Sequence, residues 1–313
     1  MADRRVDEAT GVETVGHEWD GIEELDNPMP RWWVLTFYAT ILFAIAYVVV
    51  YPAIPGRHKA SDGLWNWSSR GALAAETAAA EKARGPVIAA LAATPIEQLP
   101  ANPDLMEKAV AGGKAAFRVN CVQCHGSEAQ GNRGYPNLAD DDWLWGGDLK
   151  TIETTIAHGI RFAGDGQTRQ SLMPSFGRDG ILPPDQVSDV ADYVRSLSGE
   201  QAANAATRRG AAIFAANCAV CHGADGKGGR QVGAPNLADQ IWLYGGAKAD
   251  VAASVTNAHA GVMPAWGQRL DPVTVKMLAA YVHSLGGGEK FAPAPAAPVA
   301  AAPAAAPAGA AAK

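Results

Sequence analysis

The four cysteines of this chain lie in two copies of one five-residue pattern. The copies are Cys121-Val122-Gln123-Cys124-His125 and Cys218-Ala219-Val220-Cys221-His222, and they leave no cysteine over. The spacing C-x-x-C-H is the attachment pattern of c-type haem, in which each thiol forms a thioether with a vinyl group and the adjacent histidine ligates the iron. The sequence therefore predicts two covalently bound haem c groups.

Two other uses of these cysteines fit the spacing less well. One zinc ion shared by both copies would require four ligands to converge, but the copies lie 97 residues apart and each has its own histidine. A thioredoxin-like redox pair would require a βαβ context, which the flanking sequence does not predict. Haem attachment is accordingly favoured over a zinc site or a disulfide.

A second axial ligand for each iron is predicted at two methionines. Met173 and Met263 each begin a Met-Pro-x-aromatic-Gly segment, 48 residues after His125 and 41 residues after His222. Thioether sulfur is a soft ligand that favours reduced iron and raises the reduction potential. We predict that these two histidines and two methionines ligate the irons. The sequence leaves open whether each methionine serves the haem of its own repeat or of the other one.

Two further histidines are alternatives to the methionines, which could themselves be ordinary core residues. His158 and His259 also recur in both halves of the sequence, within Ala-His-Gly and Ala-His-Ala. Ligation by two histidines would lower the reduction potential relative to a histidine and a methionine. The Met-Pro context is more specific than a single histidine, which favours the methionines.

The same series of short motifs surrounds each haem motif. Phe-x-x-Asn precedes it, and Pro-Asn-Leu-Ala-Asp, Trp-Leu, the Met-Pro segment and Tyr-Val-x-Ser-Leu follow it in that order. The series indicates a tandem duplication of a domain of about 90 residues, which we place at 105–200 and 201–288. The repeats differ in one place: His158 and Met173 are 15 residues apart, whereas His259 and Met263 are four apart. The longer segment is either a contact with a partner domain or subunit or a tolerated surface insertion.

The chain ahead of the repeats predicts a membrane anchor over residues 32–55. No charged residue occurs from Trp32 to Gly56, and Trp32–Tyr51 gives 20 largely apolar residues, about 30 Å of helix. Aromatic residues lie toward both ends of this stretch, as in an interfacial belt. A cleaved signal peptide would have a basic leader and a shorter apolar region, whereas the leader here is acidic.

Three other segments complete the predicted organisation. Residues 1–31 form an acidic leader, which by charge alone is typical of a solvated disordered segment. Residues 56–104 form a linker whose Gly71–Ala93 stretch suits helix, interrupted by Gly85-Pro86. Residues 289–313 become almost entirely Ala and Pro from Phe291 onward and predict an extended tail without a packed core.

These motifs resemble a known family in two places. Residues 105–287 resemble tandem class I cytochrome c domains, in which the first and last helices of a domain pack against each other. The leader segment His17–Trp33, HEWDGIEELDNPMPRWW, resembles the N-terminal signature of the dihaem subunit III (CcoP/FixP) family of cbb3-type cytochrome c oxidases. The resemblance implies an all-α fold: one N-terminal transmembrane helix followed by two tandem class I cytochrome c domains.

The resemblance also implies a function and a location. The chain would be a membrane-anchored, non-catalytic subunit that relays electrons from a soluble periplasmic cytochrome c to the catalytic subunit of an oxygen-reducing oxidase, beside its mono-haem subunit. It would lie in the bacterial inner membrane, with the N-terminus cytoplasmic and the haem domains periplasmic, because c-type haem is attached outside that membrane. The leader would contact the oxidase core or an assembly factor. The carbonyl of Pro136 or Pro235 would accept a hydrogen bond from the proximal histidine Nδ1.

Charge is divided unevenly between the repeats. Residues 104–200 carry 9 Lys and Arg against 14 Asp and Glu, whereas residues 201–288 carry 7 against 4. An acidic first domain, with Asp140-Asp141-Asp142 near one end, suggests a docking face for a positively charged cytochrome. The alternative is that these are solvated surface carboxylates.

Other functions remain compatible with two haem motifs. The chain could be a free-standing membrane-anchored electron shuttle or the cytochrome subunit of a dehydrogenase. A dihaem peroxidase or gas sensor would need an open iron position. No serine, cysteine or carboxylate constellation indicates bond-making chemistry of the chain's own, and no nucleic-acid partner is expected.

Overall fold

The computed structural model describes residues 4–290. It divides into two compact units whose boundary lies between Arg84 and Gly85. The Ala- and Pro-rich tail predicted over 289–313 lies outside the described residues from position 291 onward.

The acidic leader forms a β-hairpin in the first unit. Strand β1 (Thr14–Trp19) pairs antiparallel with β2 (Ile22–Leu25). The intervening Asp20 and Gly21 both have positive φ, 52° and 85°, as a two-residue type I′ turn requires. The expectation of a disordered leader, drawn from charge alone, is therefore wrong: the Asp-Gly turn closes a paired hairpin despite the acidic composition.

The apolar stretch forms helix α1 (Arg31–Val50), which begins one residue before the predicted span and ends five residues earlier. Among the described residues it is the one helix long and apolar enough to cross a membrane, and none of its residues is buried by protein. At its far end, the ring of Tyr51 stacks on Tyr47 and contacts Trp65 and Trp67 of the linker edge-on, with centroids 4.7, 5.2 and 5.6 Å away.

The linker contains one long helix, α2 (Ser69–Ala93), which continues through Pro86. The predicted interruption at Gly85-Pro86 is wrong. Proline removes one backbone donor, and on this mostly exposed Ala-rich helix the remaining hydrogen bonds maintain the helical path. A 3₁₀ turn over Ile96–Ala101 follows, and Asn102 caps the next helix by accepting from the Leu105 backbone NH.

The second unit consists of helices and loops. In chain order its remaining helices are α3 (Pro103–Asn120), α4 (Val122–His125), α5 (Leu149–His158), α6 (Pro184–Leu197), α7 (Ala205–Asn217), α8 (Ala219–His222), α9 (Lys248–Asn257) and α10 (Pro272–His283). Side-chain caps begin several of them: Asp148 on α5, Asn204 on α7 and Asp271 on α10 each accept backbone NH groups of the first turn.

These helices pack across the two sequence repeats. The first helix of the first repeat, α3, packs against α10, the last helix of the second repeat, and α6 packs against α7. The same aromatic contact recurs in both pairs: Phe117 lies 5.3 Å from Tyr281, and Phe214 lies 5.2 Å from Tyr193, between ring centroids. The resemblance implied that the first and last helices within each repeat would pack together. The structure corrects this, because the closing helices are exchanged.

Small residues permit both exchanged pairs to approach closely. A Cβ at Gly113 of α3 would meet the backbone of Met277 on α10, and a Cβ at Gly210 of α7 would meet the backbone of Asp189 on α6. A bidentate ion pair between Arg209 and Asp189, 2.6 and 2.7 Å, further joins α7 to α6. These contacts hold the exchanged pairs together, and the glycine contact recurs at equivalent positions of the two repeats.

Two separate hydrophobic cores result. Body A, as we call it, contains α3, α4, α5 and α10, with Leu91, Ile96 and Leu99 of the linker buried in the same core. Body B contains α6, α7, α8 and α9. The sequence repeats 105–200 and 201–288 thus each contribute helices to both bodies.

Candidate functional site

Each haem-attachment motif folds into one short helical turn followed by a glycine. α4 ends at His125 and α8 at His222, and the glycines that follow, Gly126 and Gly223, have φ of 79° and 78°. Cys121 and Cys218 are capping residues that lie against the cores, whereas Cys124 and Cys221 are exposed. No disulfide joins any of the four cysteines.

The proximal histidines have the same hydrogen bond in both bodies. Nδ1 of His125 lies 3.1 Å from the carbonyl oxygen of Pro136, and Nδ1 of His222 lies 3.1 Å from that of Pro235. A carbonyl oxygen only accepts, so Nδ1 carries the proton and Nε2 retains its lone pair. The predicted contact with each proline carbonyl is confirmed, and it orients the imidazole for coordination through Nε2.

A glycine turn brings each proline carbonyl to its histidine. The Gly131 NH donates to the His125 carbonyl at 2.8 Å, and the Gly228 NH donates to the His222 carbonyl at 2.8 Å. Both glycines have positive φ, and a Cβ at either one would meet the backbone next to the proline. A side chain would push that backbone away, so these two positions require glycine.

Burial sets the protonation states at the two motifs. It lowers the pKa of His125 and His222 below the usual value, although the hydrogen bonds to Pro136 and Pro235 oppose that shift. Both rings are therefore neutral at pH 7, as metal ligation requires. Burial raises the pKa of Cys121 and of Cys218 to about 11, so both are thiols rather than thiolates.

The Met-Pro segments are exchanged together with the helices. Met263, from the second repeat, packs against the core of body A, which also contains Cys121. Met173, from the first repeat, packs against the core of body B, which contains Cys218. Each body thus combines one haem motif with the methionine of the other repeat, an arrangement that the sequence left open.

Backbone contacts hold each methionine segment on the end of a helix from the opposite repeat. Met263 and Ile160 exchange two backbone hydrogen bonds of 3.0 Å just after α5. On the other side, Ser175 Oγ donates to the carbonyl of Asn257 at the end of α9, 2.9 Å away. These contacts also show that the longer segment of the first repeat contacts the partner repeat.

The alternative histidine ligands have other partners. His158 Nδ1 lies 3.1 Å from a carboxylate oxygen of Asp165. His259 stacks on Tyr244, with centroids 3.6 Å apart, and its Nε2 lies 3.1 Å from Ser254 Oγ. Among the described residues, no three His, Cys, Asp or Glu side chains are arranged to hold a metal ion.

Sequence comparisons cover almost all of this architecture. Three family models match: the N-terminal domain of cytochrome oxidase-cbb3, FixP, over residues 11–57; cytochrome c over residues 110–198; and cytochrome c oxidase, cbb3-type, subunit III, over residues 205–282. The cbb3-type cytochrome c oxidase subunit FixP of Sinorhizobium medicae is 53% identical over 291 residues, 92% of this chain and 100% of the relative. The chain belongs to the FixP/CcoP family.

Relatives from other bacteria agree. The subunit CcoP of Cereibacter sphaeroides is 52% identical over 88% of this chain and 95% of its own length, and CcoP of Azospirillum brasilense is 48% identical over 92% and 100%. The chain is thus a membrane-anchored member of the FixP/CcoP family with cytochrome c domains, which bind haem c. The residues described above fit that group: paired thiols, a neutral histidine with a free Nε2, and a thioether in the same core.

The tryptophans of the two Trp-Leu motifs, Trp143 and Trp242, are half-buried in equivalent places. Trp143 Nε1 donates to the carbonyl of Gly287 at 2.6 Å, and Trp242 Nε1 donates to a carboxylate oxygen of Glu200 at 3.2 Å. Both indoles lie against a glycine, Gly147 or Gly246, where a Cβ would collide with the ring.

The acidic triplet Asp140-Asp141-Asp142 borders a polar cavity that residues of both repeats line. Asp141 and Asp142 line a cavity of about 360 Å³ together with Lys227 and Arg230 of the second repeat. Burial, followed by repulsion from Asp239 and the neighbouring aspartates, raises the pKa of Asp142 to about 6. The triplet is therefore only partly available as an exposed docking face.

One functional candidate, Arg161, was not identified from the sequence. Its guanidinium binds backbone carbonyls near both methionines. It lies in the longer segment between His158 and Met173, so the length difference between the repeats was the available signal. The contacts themselves could not be predicted, because they depend on the exchange of helices.

Proposed function

We propose that this chain is the dihaem electron-relay subunit of a cbb3-type oxidase. It would accept electrons from a soluble periplasmic cytochrome c and deliver them to the catalytic subunit, without a bond-making site of its own. The observation that supports a dihaem relay most directly is the presence of two equivalent bodies, each with one haem motif, one oriented neutral histidine and one methionine.

The ligand sets follow from the exchanged packing. Haem attached at Cys121 and Cys124 would be ligated by His125 and Met263, and haem attached at Cys218 and Cys221 by His222 and Met173. Bound haem supplies a one-electron carrier, and histidine with methionine ligation keeps its potential high. The chain's residues orient the imidazole through the proline carbonyl and close the distal side with the thioether.

Closed coordination suits relay rather than substrate chemistry. A six-coordinate iron has no open position for oxygen or peroxide, which argues against the peroxidase and gas-sensor alternatives. The segment carrying each methionine is fixed by hydrogen bonds to the opposite repeat, through the Met263 backbone in one case and the Ser175 hydroxyl in the other. The surroundings of the iron then change little between redox states, which favours fast electron transfer.

The same proposal includes a membrane orientation. α1 anchors the chain, the hairpin of the leader lies in the cytoplasm, and both bodies lie in the periplasm where c-type haem is attached. Purification through a tag on this chain should recover b-type haem and copper of the catalytic subunit. Recovery of this chain without either would contradict membership of an oxidase complex and favour a free-standing shuttle.

Single Met173→His and Met263→His substitutions test the ligand sets. In the full-length dihaem chain, each is expected to lower one reduction potential and leave the other unchanged. The exchange is then tested in a chain that holds a single haem, Cys121→Ala with Cys124→Ala. In that chain Met173→His should change the reduced spectrum, whereas Met263→His should not. The opposite result would establish ligation within each repeat.

A further inference from the structure

The chain passes between the two bodies at two segments that run side by side. Residues 159–172 lead from α5 in body A to Met173 in body B, and residues 258–262 lead from α9 in body B to Met263 in body A. The two segments touch at Ile160, whose NH and carbonyl both bond to Met263. Gly159 permits this approach, because a Cβ there would meet the carbonyl of Met263.

Arg161 binds both crossing segments with one side chain. Its Nε donates to the carbonyl oxygen of Gly261 at 2.7 Å, and its Nη1 donates to the carbonyl oxygen of Ser171 at 3.1 Å. Gly261 lies two residues before Met263, and Ser171 lies two residues before Met173. A single guanidinium therefore joins the backbone just ahead of both methionines.

The location and conformation of Arg161 are unusual for a surface arginine. Its φ is 51°, in the left-handed region that non-glycine residues rarely adopt. Among the described residues it forms no ion pair with a carboxylate, and its side-chain hydrogen bonds go to two main-chain carbonyls. A strained backbone and a part-buried charge both cost free energy. The two hydrogen bonds from the guanidinium to main-chain carbonyls offset this cost.

Arginine is suited to this geometry. Its planar fork presents several donors in fixed directions, so it can hold two carbonyls at once, which a lysine ammonium on a flexible stem does less well. Methionine has three rotatable side-chain bonds and does not fix its own position. The placement of each sulfur consequently depends on the backbone that precedes it.

We propose that Arg161 is a positioning residue for both distal methionines, so that one side chain controls ligation at both haem sites. The proposal depends on the histidine and methionine ligand sets above. It adds that the two sites are coupled through one guanidinium, since losing it frees the segment before Met263 and the segment before Met173 together. Arg161 acts through the backbone and does not itself contact the iron ligands.

The test compares full-length, haem-loaded Arg161→Gln with Arg133→Gln. Arg133 is a matched control because it also joins the two repeats, through a 2.7 Å ion pair with Asp250. In the part of the chain that the structure describes, its side chain forms no hydrogen bond to either crossing segment. Each variant is measured by redox titration of both c-type haems, by the charge-transfer absorption of the methionine–iron bond, and by carbon monoxide binding to the reduced protein.

Arg161→Gln is expected to shift both midpoint potentials downward, weaken the methionine–iron absorption and make carbon monoxide bind at both c-type haems. Arg133→Gln should match the wild type in all three. Unchanged titrations in Arg161→Gln, or a shift at only one haem, would overturn the coupling. If Arg161→Gln does not assemble, Arg161→Lys decides in the same way, with smaller shifts expected at both haems. If the wild type itself showed no methionine–iron absorption, the ligand sets would be refuted. Failure of the ligand sets is thus distinguishable from failure of the coupling proposal.

Discussion

Truncating one leucine of each closing segment should damage the body built around the other repeat's haem motif. Leu278 of α10 is 1% exposed in the core of body A, and Leu182, just ahead of α6, is 5% exposed in the core of body B. Leu278→Ala should therefore destabilise the surroundings of the first haem motif. Leu182→Ala should destabilise those of the second. Both variants replace a buried leucine with alanine, so each serves as a control for the other.

The expected magnitude follows from the loss of buried methyl groups. A buried leucine truncated to alanine costs about 2–5 kcal/mol, from lost burial and from the cavity left behind. At about 1.4 kcal/mol per factor of ten, local opening becomes roughly thirtyfold to several thousandfold more frequent. Leu278→Ala should lie toward the upper part of this range, because its side chain is almost completely enclosed.

Hydrogen exchange read by peptide mass spectrometry locates the damage. Leu278→Ala should accelerate exchange in α3 and α5 while α6 and α7 keep their protection, and Leu182→Ala should do the reverse. If Leu278→Ala accelerated exchange in α7 and spared α3, the closing helices would pack within their own repeats. The exchanged architecture would then be refuted.

Two further predictions concern the proximal loop and the acidic cavity. Gly131→Ala should cost about 1–3 kcal/mol of backbone strain and displace the Pro136 carbonyl. It should therefore lower the reduction potential of the haem at His125 only, whereas Gly228→Ala should affect only the other haem. A redox titration of both variants checks this. The raised pKa of Asp142 means that the folded state holds its proton more tightly than the unfolded state, so stability falls as pH rises from about 4 to about 6. Asp142→Asn should remove that fall and increase stability at pH 7 relative to the wild type. Denaturant unfolding at both pH values measures it, and an unchanged pH dependence would contradict the assignment.

Local features of this chain could be predicted from the sequence because they depend on neighbouring residues. The haem motifs, the helix spanning Arg31–Val50 and the hydrogen bonds from His125 and His222 to proline carbonyls all arise within segments of about 25 residues or fewer. The prediction of a disordered leader from its charge was wrong, because net charge contains no information about the Asp20-Gly21 turn that closes the hairpin.

The partners of the closing helices could not be predicted in the same way. α6 and α10 end with the same Tyr-Val-x-Ser-Leu motif, and α3 and α7 present equivalent glycines and phenylalanines, so either pairing satisfies the pattern. In the structure, the connections at 159–172 and 258–262 lead each Met-Pro segment onto the opposite body. Duplicated sequences contain no local signal for that choice.

The exchanged helices have a consequence for biosynthesis. In the proposed topology the part of the chain after the anchor is exported in sequence order, so Cys121 and Cys124 would reach the haem-attachment machinery long before Met263, which follows His125 by 138 positions. Until Met263 has emerged, the first motif has no distal thioether in its own body. Until α10 has emerged, that body also lacks its closing helix. A nascent chain would therefore hold its first haem with one face open. Translation of α10, the last helix, would complete body A, whose other helices are the first to be made. With the proposed ligand sets, premature termination before Met263 would leave that first iron exposed to external ligands, even where the repeat that carries its haem motif is complete.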